Sequence, residues 1–312
     1  MSNKIVVVLG PTASGKTRLA CQLAQQHQAV IISADSRQVY QELNLGVGKD
    51  YQDYIIEGNT IPYEMIDIVS LHTQYHIAAY QDTVAEKIAF HQSNNKNIIV
   101  CGGSGLYLDA IIQPMPFAKV PINEALRTSF DNIKLPFLIQ HFHSLPKSIQ
   151  LTKVDFNSKK RVIRAIEIAS YLEQNQLIET KLDINDFIFL GLRPEIEWLH
   201  ASIKNRLNAR LESGMIDEVN ELMKAGFSVE RLRFLGLEYE WITRYLIGEI
   251  SLNEMKDRLF IAIRQFAKRQ LTWFKRMEKQ GFHIHWIELP CTFDEQLHIC
   301  NDILYHEKFS NF

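Results

Sequence analysis

Ile5-Val6-Val7-Val8-Leu9-Gly10-Pro11-Thr12-Ala13-Ser14-Gly15-Lys16-Thr17 is the stretch that decides the fold. The apolar, β-branched run from Ile5 to Leu9 predicts a buried strand. Gly10 closes it, and a helical pattern follows through about His27. Strand, glycine loop and helix in that order open an α/β fold. Residues 10–17 match G-x-x-x-x-G-K-[ST] without a gap. The glycines let the backbone curl so that successive N–H groups point at one anion. The helix that follows aims its positive end at the same place. Lys16 adds a point charge, and the Thr17 hydroxyl is a hard oxygen suited to Mg²⁺. The pattern therefore predicts a polyphosphate site made by Gly10, Pro11, Thr12, Ala13, Ser14, Gly15, Lys16 and Thr17.

The loop does not select the phosphate compound. Proteins that cleave nucleotides on such a loop hold Mg²⁺ with an acid at the end of a later strand. Here the third predicted strand, Asn97 to Cys101, runs into Gly102-Gly103 with no carboxylate. An acid does follow the second predicted strand, Val30 to Ser33. Strand ends face the ligand crevice in open α/β sheets, so Asp35 is expected near the loop. Two roles stay open for it: capping a helix that starts near Ser36, or orienting and deprotonating an acceptor group.

Further along, Ile77, Tyr80, Val84, Ile88 and His91 predict a helix over about 76–92, and Phe187 to Leu192 a fourth strand. Pro114, Pro116 and Pro121 open a long excursion whose stretches 123–145 and 158–180 read as helices. The expected organisation is a core of 1–116 and 186–312 around a helical insertion at 117–185. From Glu195 to Gln280 the pattern is helical, over about 195–213, 215–225, 238–247 and 251–280. Gly214, Gly226, Gly248 and Gly281 stand where those helices end. Phe282 to Leu289 reads as a last strand.

The 312 residues are 46% hydrophobic and 22% charged, with a net charge of -2, which is globular composition. Four cysteines without metal-ligand spacing suit a reduced, cytoplasmic protein. No signal-peptide pattern and no apolar run of roughly 20 residues is present, so no membrane partner is expected. The core is large enough for a monomer. Basic residues gather at Lys159, Lys160, Arg161 and Arg164, and again at Arg264, Lys268, Arg269, Lys275 and Arg276. Such patches on a near-neutral protein suit a nucleic acid on one face. His141, His143, His283 and His285 lack a matching acid or thiol set and read as ordinary residues rather than metal ligands.

In combination, GPTASGKT (10–17), ISADSRQVY (32–40), GGSGLY (102–107), KRVIRAIE (160–167), RFLGLEY (233–239) and AKRQLTWF (267–274) resemble the motifs of the tRNA dimethylallyltransferase family in order and spacing. The resemblance implies an α/β P-loop NTPase-like parallel sheet core with an inserted helical domain and a helical C-terminal half. It implies transfer of a dimethylallyl group from dimethylallyl diphosphate to N6 of the adenine 3′ to the anticodon, in tRNAs reading codons that start with U. Residues 10–17 would hold the diphosphate, with Mg²⁺ on Thr17. Asp35 would accept the proton from N6, and Arg206 would help hold the diphosphate. Asp35, Ser36, Arg37, Gln38, Ser104, Lys160, Arg161, Arg164, Arg233 and Gly236 would touch the anticodon stem-loop of the tRNA.

Three stretches depart from the family's pattern. Residues 44–50 read NLGVGKD where the family tends to IGTAKP, 72–79 read HTQYHIAA in place of the YSVA pattern, and LGLEY at 235–239 replaces an IGYKE-like run. Two other functional classes compete with the transferase. A P-loop small-molecule kinase would use the acid after the second strand to grip an acceptor hydroxyl. An RNA-binding module without catalysis would use only the basic stretches.

Overall fold

Strand β1 (Ile5–Leu9) has five residues, every one buried to 0% exposure. A strand covered on both faces belongs in the middle of a parallel sheet, and that is its place. The structure, a computed structural model, describes residues 4–146, 151, 154–176 and 186–309. It divides into two compact units, Met1–Ile112 with Asp183–Phe312, and Gln113–Leu182.

In the first unit β1 leads into α1 (Lys16–Gln26) and β2 (Ala29–Ala34). A small antiparallel pair, β3 (Ile55–Ile56) and β4 (Asn59–Thr60), precedes β5 (Tyr63–Glu64), α2 (Ile77–Ser93), β6 (Asn97–Gly102) and α3 (Gly105–Ile112). The second unit contributes α4 (Glu124–Phe130), α5 (Leu135–Ser144) and α6 (Lys159–Leu172). The chain then returns to the first unit with β7 (Phe187–Pro194), α7 (Ile196–Glu212), α8 (Met215–Lys224), α9 (Val229–Leu235), α10 (Leu237–Leu246), α11 (Leu252–Lys279), β8 (Ile284–Leu289) and α12 (Phe293–His306).

The six-stranded sheet runs β5-β2-β6-β1-β7-β8, and each neighbouring pair is parallel. The ends of β1, β2 and β6 therefore open on one edge, and Gly10, Asp35 and Gly103 follow them directly. Close approach there demands glycine: a Cβ on Gly102 would stand 2.3 Å from the Ala34 carbonyl oxygen. Leu19 and Leu23 of α1 pack with Ile31, Ile99, Leu190, Ile287 and Leu304 in the core of this unit.

The second unit has its own core of Leu138, Phe142, Val162 and Ile166. Its buried carboxylate, Glu167, is satisfied by the Asn123 N–H at 2.6 Å, by Arg127 at 3.1 Å and by Arg164. A charge so buried is tolerated only with partners of this kind. The stretch expected as one helix over 123–145 is two, α4 and α5. Pro136 sits in the first turn of α5, where its missing N–H has no bond to lose. The helix expected over 158–180 ends at Leu172, and residues 177–180 lie outside the described residues.

Candidate functional site

Gly15 takes φ +83°, the left-handed conformation that glycine adopts without strain, and α1 begins at the next residue. The loop thus turns its curled backbone into the N-terminus of a helix. Lys16 follows directly. Burial lowers the pKa of its ammonium, with Arg206 pushing the same way against Cys101, Asp35 and Asp50. A cation held in a dry site is short of a counter-charge, which an anionic ligand supplies.

Thr12 is engaged from two sides. Its N–H donates to Oε1 of Gln270 at 2.8 Å, and Arg206 donates to its hydroxyl. Nε2 of Gln270 in turn donates to the Gly103 carbonyl at 2.8 Å. Gln270, only 5% exposed on α11, therefore ties the loop after β1 to the end of β6. The Thr12 amide is accordingly not one of the donors left for a phosphate. Replacing Gln270 by leucine keeps the bulk but leaves the Thr12 N–H and the Gly103 carbonyl without partners, at about 1–3 kcal/mol each. Gln270→Leu is expected to weaken pyrophosphate binding about tenfold and to lower Tm, as calorimetry would read directly. Gln270→Glu, which still accepts from Thr12, should fall between.

Asp35 does not cap a helix, because residues 36–39 form a turn. Its Oδ1 accepts from the backbone N–H of Arg37 at 2.9 Å and of Gln38 at 3.4 Å. Such an Asx turn fixes one carboxylate oxygen and leaves the other free to face a ligand. Gln38 is fixed as well, accepting from the Ser33 hydroxyl at 2.9 Å and donating to the Gly48 carbonyl at 2.9 Å. The Ser36 N–H donates to the Ser104 hydroxyl at 3.3 Å.

Two cavities meet at Asp35. A pocket of about 50 Å³ is lined by Lys16, Thr17, Asp35, Asp50 and Arg206. A larger one of about 510 Å³ is lined by Asp35, Ser104, Arg206, Glu238, Trp241 and Phe266, with Ser36, Arg37 and Gly236 on its wall. Thr12, Asp35 and Arg206 belong to both. Burial pushes the Arg206 guanidinium down to about 10, helped by Arg210, which leaves it charged at neutral pH. Arg210 itself donates to both oxygens of Asp50 at 3.1 and 3.0 Å. Burial raises the pKa of Glu238 against the pull of Arg210, Arg206 and Arg37.

No carboxylate directly follows β6, but two lie near Thr17. Thr17, Asp50, Asp53 and Ser202 line a third cavity of about 230 Å³ together with Lys16 and Arg206. Burial raises the Asp53 pKa, and the Asp50 charge adds to it. A hydroxyl and two carboxylates beside a phosphate loop are hard oxygen donors of the kind Mg²⁺ takes, so the residues present fit the ion. Among the described residues no three His, Cys, Asp or Glu side chains gather as a metal cluster.

Several predicted contacts are already engaged within the protein. Arg164 donates to the carbonyls of Phe117 at 3.0 Å, Val120 at 2.6 Å and Pro121 at 3.3 Å, besides pairing with Glu167. Arg161 pairs with Asp155, whereas Lys160 is exposed without a partner among these bonds. Arg233 meets Glu249 at 3.3 Å. On α11, Arg276 pairs with Asp109 at 3.1 Å and lies over the Trp273 ring, so it serves the fold; Phe274 is core at 0% exposure. Sequence reasoning missed Gln270, Arg210, Asp50, Asp53 and Glu238. It also missed Glu218, whose carboxylate accepts from the N–H groups of Asn44 at 3.3 Å, Leu45 at 2.6 Å and Gly46 at 3.3 Å and from the Tyr239 hydroxyl at 2.7 Å. That carboxylate holds in place the very loop that departs from the family's pattern.

Known proteins resemble this chain in sequence and in fold. The family model described as IPP transferase matches residues 38–277. The tRNA dimethylallyltransferase 2 of Porphyromonas gingivalis is 40% identical over 295 residues, covering 94% of this chain and 96% of that protein. The protein of the same name from Shewanella sediminis is 40% identical over 284 residues, 91% of this chain and 93% of its own. Among solved structures, the full-length tRNA isopentenylpyrophosphate transferase of Bacillus halodurans superposes with a TM-score of 0.71 at 26% identity, covering 98% of this chain and 97% of that one. A eukaryotic dimethylallyltransferase acting on tRNA, at 21% identity and a TM-score of 0.78, shares the fold. With a family-model match over residues 38–277 and relatives 40% identical over more than nine-tenths of their own length, the chain belongs to the IPP transferase family.

Proposed function

We propose that this protein transfers a dimethylallyl group from dimethylallyl diphosphate to N6 of the adenine 3′ to the anticodon in tRNAs that read codons starting with U, giving N6-isopentenyladenosine. The observation that carries the reading is the sharing of Asp35 and Arg206 between the phosphate-loop pocket and the larger cavity. A diphosphate on the loop and an acceptor in the cavity meet at one carboxylate and one guanidinium.

The reaction forms a bond from N6 to the allylic carbon and breaks that carbon's bond to the diphosphate oxygen. Adenine's exocyclic nitrogen is a weak nucleophile, because its lone pair is delocalised into the ring. Asp35, with one oxygen fixed by the turn, takes the N6 proton on the other. Lys16 and Arg206 receive the charge that collects on the departing diphosphate. Thr17, with Asp50 and Asp53 nearby, would hold Mg²⁺, which would supply further neutralisation of the diphosphate charge. The target base leaves its stack to enter the cavity, which costs less in an RNA loop than in a duplex. A small-molecule kinase does not fit relatives that are named tRNA dimethylallyltransferases over nearly their whole length.

The reading includes a monomer at work in the cytoplasm, acting on the anticodon stem-loop. All four cysteines are unpaired, as a reducing compartment keeps them. No described helix is long and apolar enough to cross a membrane. The test is incubation with unmodified tRNA, dimethylallyl diphosphate and Mg²⁺, followed by nucleoside mass analysis. One adenosine should gain a five-carbon unit, and a chelator should stop the reaction. Cleavage of a nucleoside triphosphate with no change to the RNA would refute the assignment.

A further inference from the structure

The proposed reaction gives no role to Phe234, although its position is unusual. It lies in the last turn of α9 and is 69% exposed, while Leu232 and Leu235 on either side are buried at 0% and 3%. The helix thus commits Leu232 and Leu235 to the core and leaves one aromatic ring in water. The wall of the large cavity begins at the next residue, since Leu235, Gly236, Leu237 and Glu238 all line it. Gly236, at φ +73°, turns the chain there, and a Cβ on it would stand 3.8 Å from Nη2 of Arg37. Phe234 therefore directly precedes, in the chain, the wall of the cavity that holds Asp35.

The ring also has a fixed cation behind it. The Arg231 guanidinium lies 5.9 Å from the Phe234 ring centroid and 5.6 Å from that of Tyr40. It is pinned by hydrogen bonds to the Leu71 carbonyl at 3.1 and 2.8 Å and to the Thr73 carbonyl at 3.1 Å. Arg37 lines the cavity, and Arg233, next to Phe234 in the chain, pairs with Glu249 at 3.3 Å. An aromatic face among guanidinium groups suits a partner that is flat, apolar on its face and negatively charged along its backbone. A nucleic acid has those properties, and a base already out of its stack has a free face to offer.

We propose that Phe234 is the stacking platform for an unstacked tRNA loop base that neighbours the adenine in the cavity. The proposal rests on the transferase reading only for the identity of the RNA. Bases stack on such a ring whatever their edges carry, so the platform fixes the position of the loop and leaves sequence to be read elsewhere.

The test reads RNA affinity and needs no transfer. An unmodified anticodon stem-loop RNA is titrated against wild type, Phe234→Ala and Phe234→Trp by fluorescence anisotropy, without donor. Phe234→Ala is expected to raise Kd about tenfold, Phe234→Trp to restore it, and pyrophosphate affinity to stay unchanged. The slope of log Kd against log salt should also stay, because no phosphate contact is lost. Removing one base beside the target adenosine should weaken wild type by the same factor and Phe234→Ala no further. Equal Kd for wild type and Phe234→Ala overturns the platform, as does wild type binding no RNA, or losses that add for every base removed. A change in oligomeric state with RNA affinity intact overturns it in favour of a second copy on the ring. Transfer that fails while Phe234→Ala still weakens RNA binding counts against the reaction and not against the platform.

Discussion

Asp35→Asn is expected to lower the rate of transfer about 10³-fold while leaving RNA and pyrophosphate affinity nearly unchanged. Asparagine is close to aspartate in shape, and its Oδ1 can still accept from the N–H groups of Arg37 and Gln38 that hold the turn at 2.9 and 3.4 Å. What it loses is the anionic oxygen that takes a proton. The fold and the wall of the cavity therefore survive, and the loss falls on kcat and not on KM. Single-turnover measurement with RNA and donor both saturating isolates the step, and thermal unfolding checks the fold. Asp35→Ala should lose as much or more, with some loosening of the turn at residues 36–39. Wild-type turnover in Asp35→Asn would remove Asp35 from proton transfer and leave it only the turn to support.

The parts of this site that can be read from sequence are those fixed by local backbone chemistry. G-x-x-x-x-G-K-[ST] between an apolar run and a helix has one physical use, and strand, loop and helix all form where expected. Asp35 is legible because strand ends face the crevice; of the two roles open to it, capping a helix near Ser36 gives way to an Asx turn. Gln270 was not legible. It reaches Thr12 across 258 positions, and nothing in the local pattern of a long helix singles out one glutamine. The same holds for Glu218, which serves a loop more than 170 positions away. The missing strand-end acid was noted correctly, but Asp50 and Asp53 could be placed beside Thr17 only once the chain after β2 was seen to fold back.

Short elements failed for a different reason. β5 has two residues, too few for periodicity to register. α9 has seven, about two turns, and is too short for a helical period to stand out. α12 carried a usable signal: Thr292 and Glu295 form a reciprocal capping box, the T-x-x-E pattern before an apolar stretch. Charge in sequence does not reveal its partner. Arg164 and Arg276 are held by Glu167 and Asp109, carboxylates with side chains 1% and 3% exposed.

Lys16→Ala should cost about 10²–10³ in donor use, and it should also change how donor binding depends on pH. In the free protein, burial lowers the Lys16 pKa. A diphosphate on the loop supplies the counter-charge that burial withheld and raises that pKa again. Between the two values, binding must take up a proton. Affinity is thus complete below the free protein's lowered pKa and falls as pH rises above it, by at most about tenfold per pH unit for one proton, until the pKa of the complex is passed. Lys16→Ala removes this fall and keeps only the one from Arg206, whose guanidinium burial has brought to about 10. Pyrophosphate titrations by calorimetry, in buffers of different ionisation enthalpy, measure affinity and proton uptake together. Wild type should take up a proton in a window where Lys16→Ala takes up none. Parallel pH profiles for the two proteins would show that Lys16 is already compensated before the diphosphate arrives, and that its charge does not drive binding.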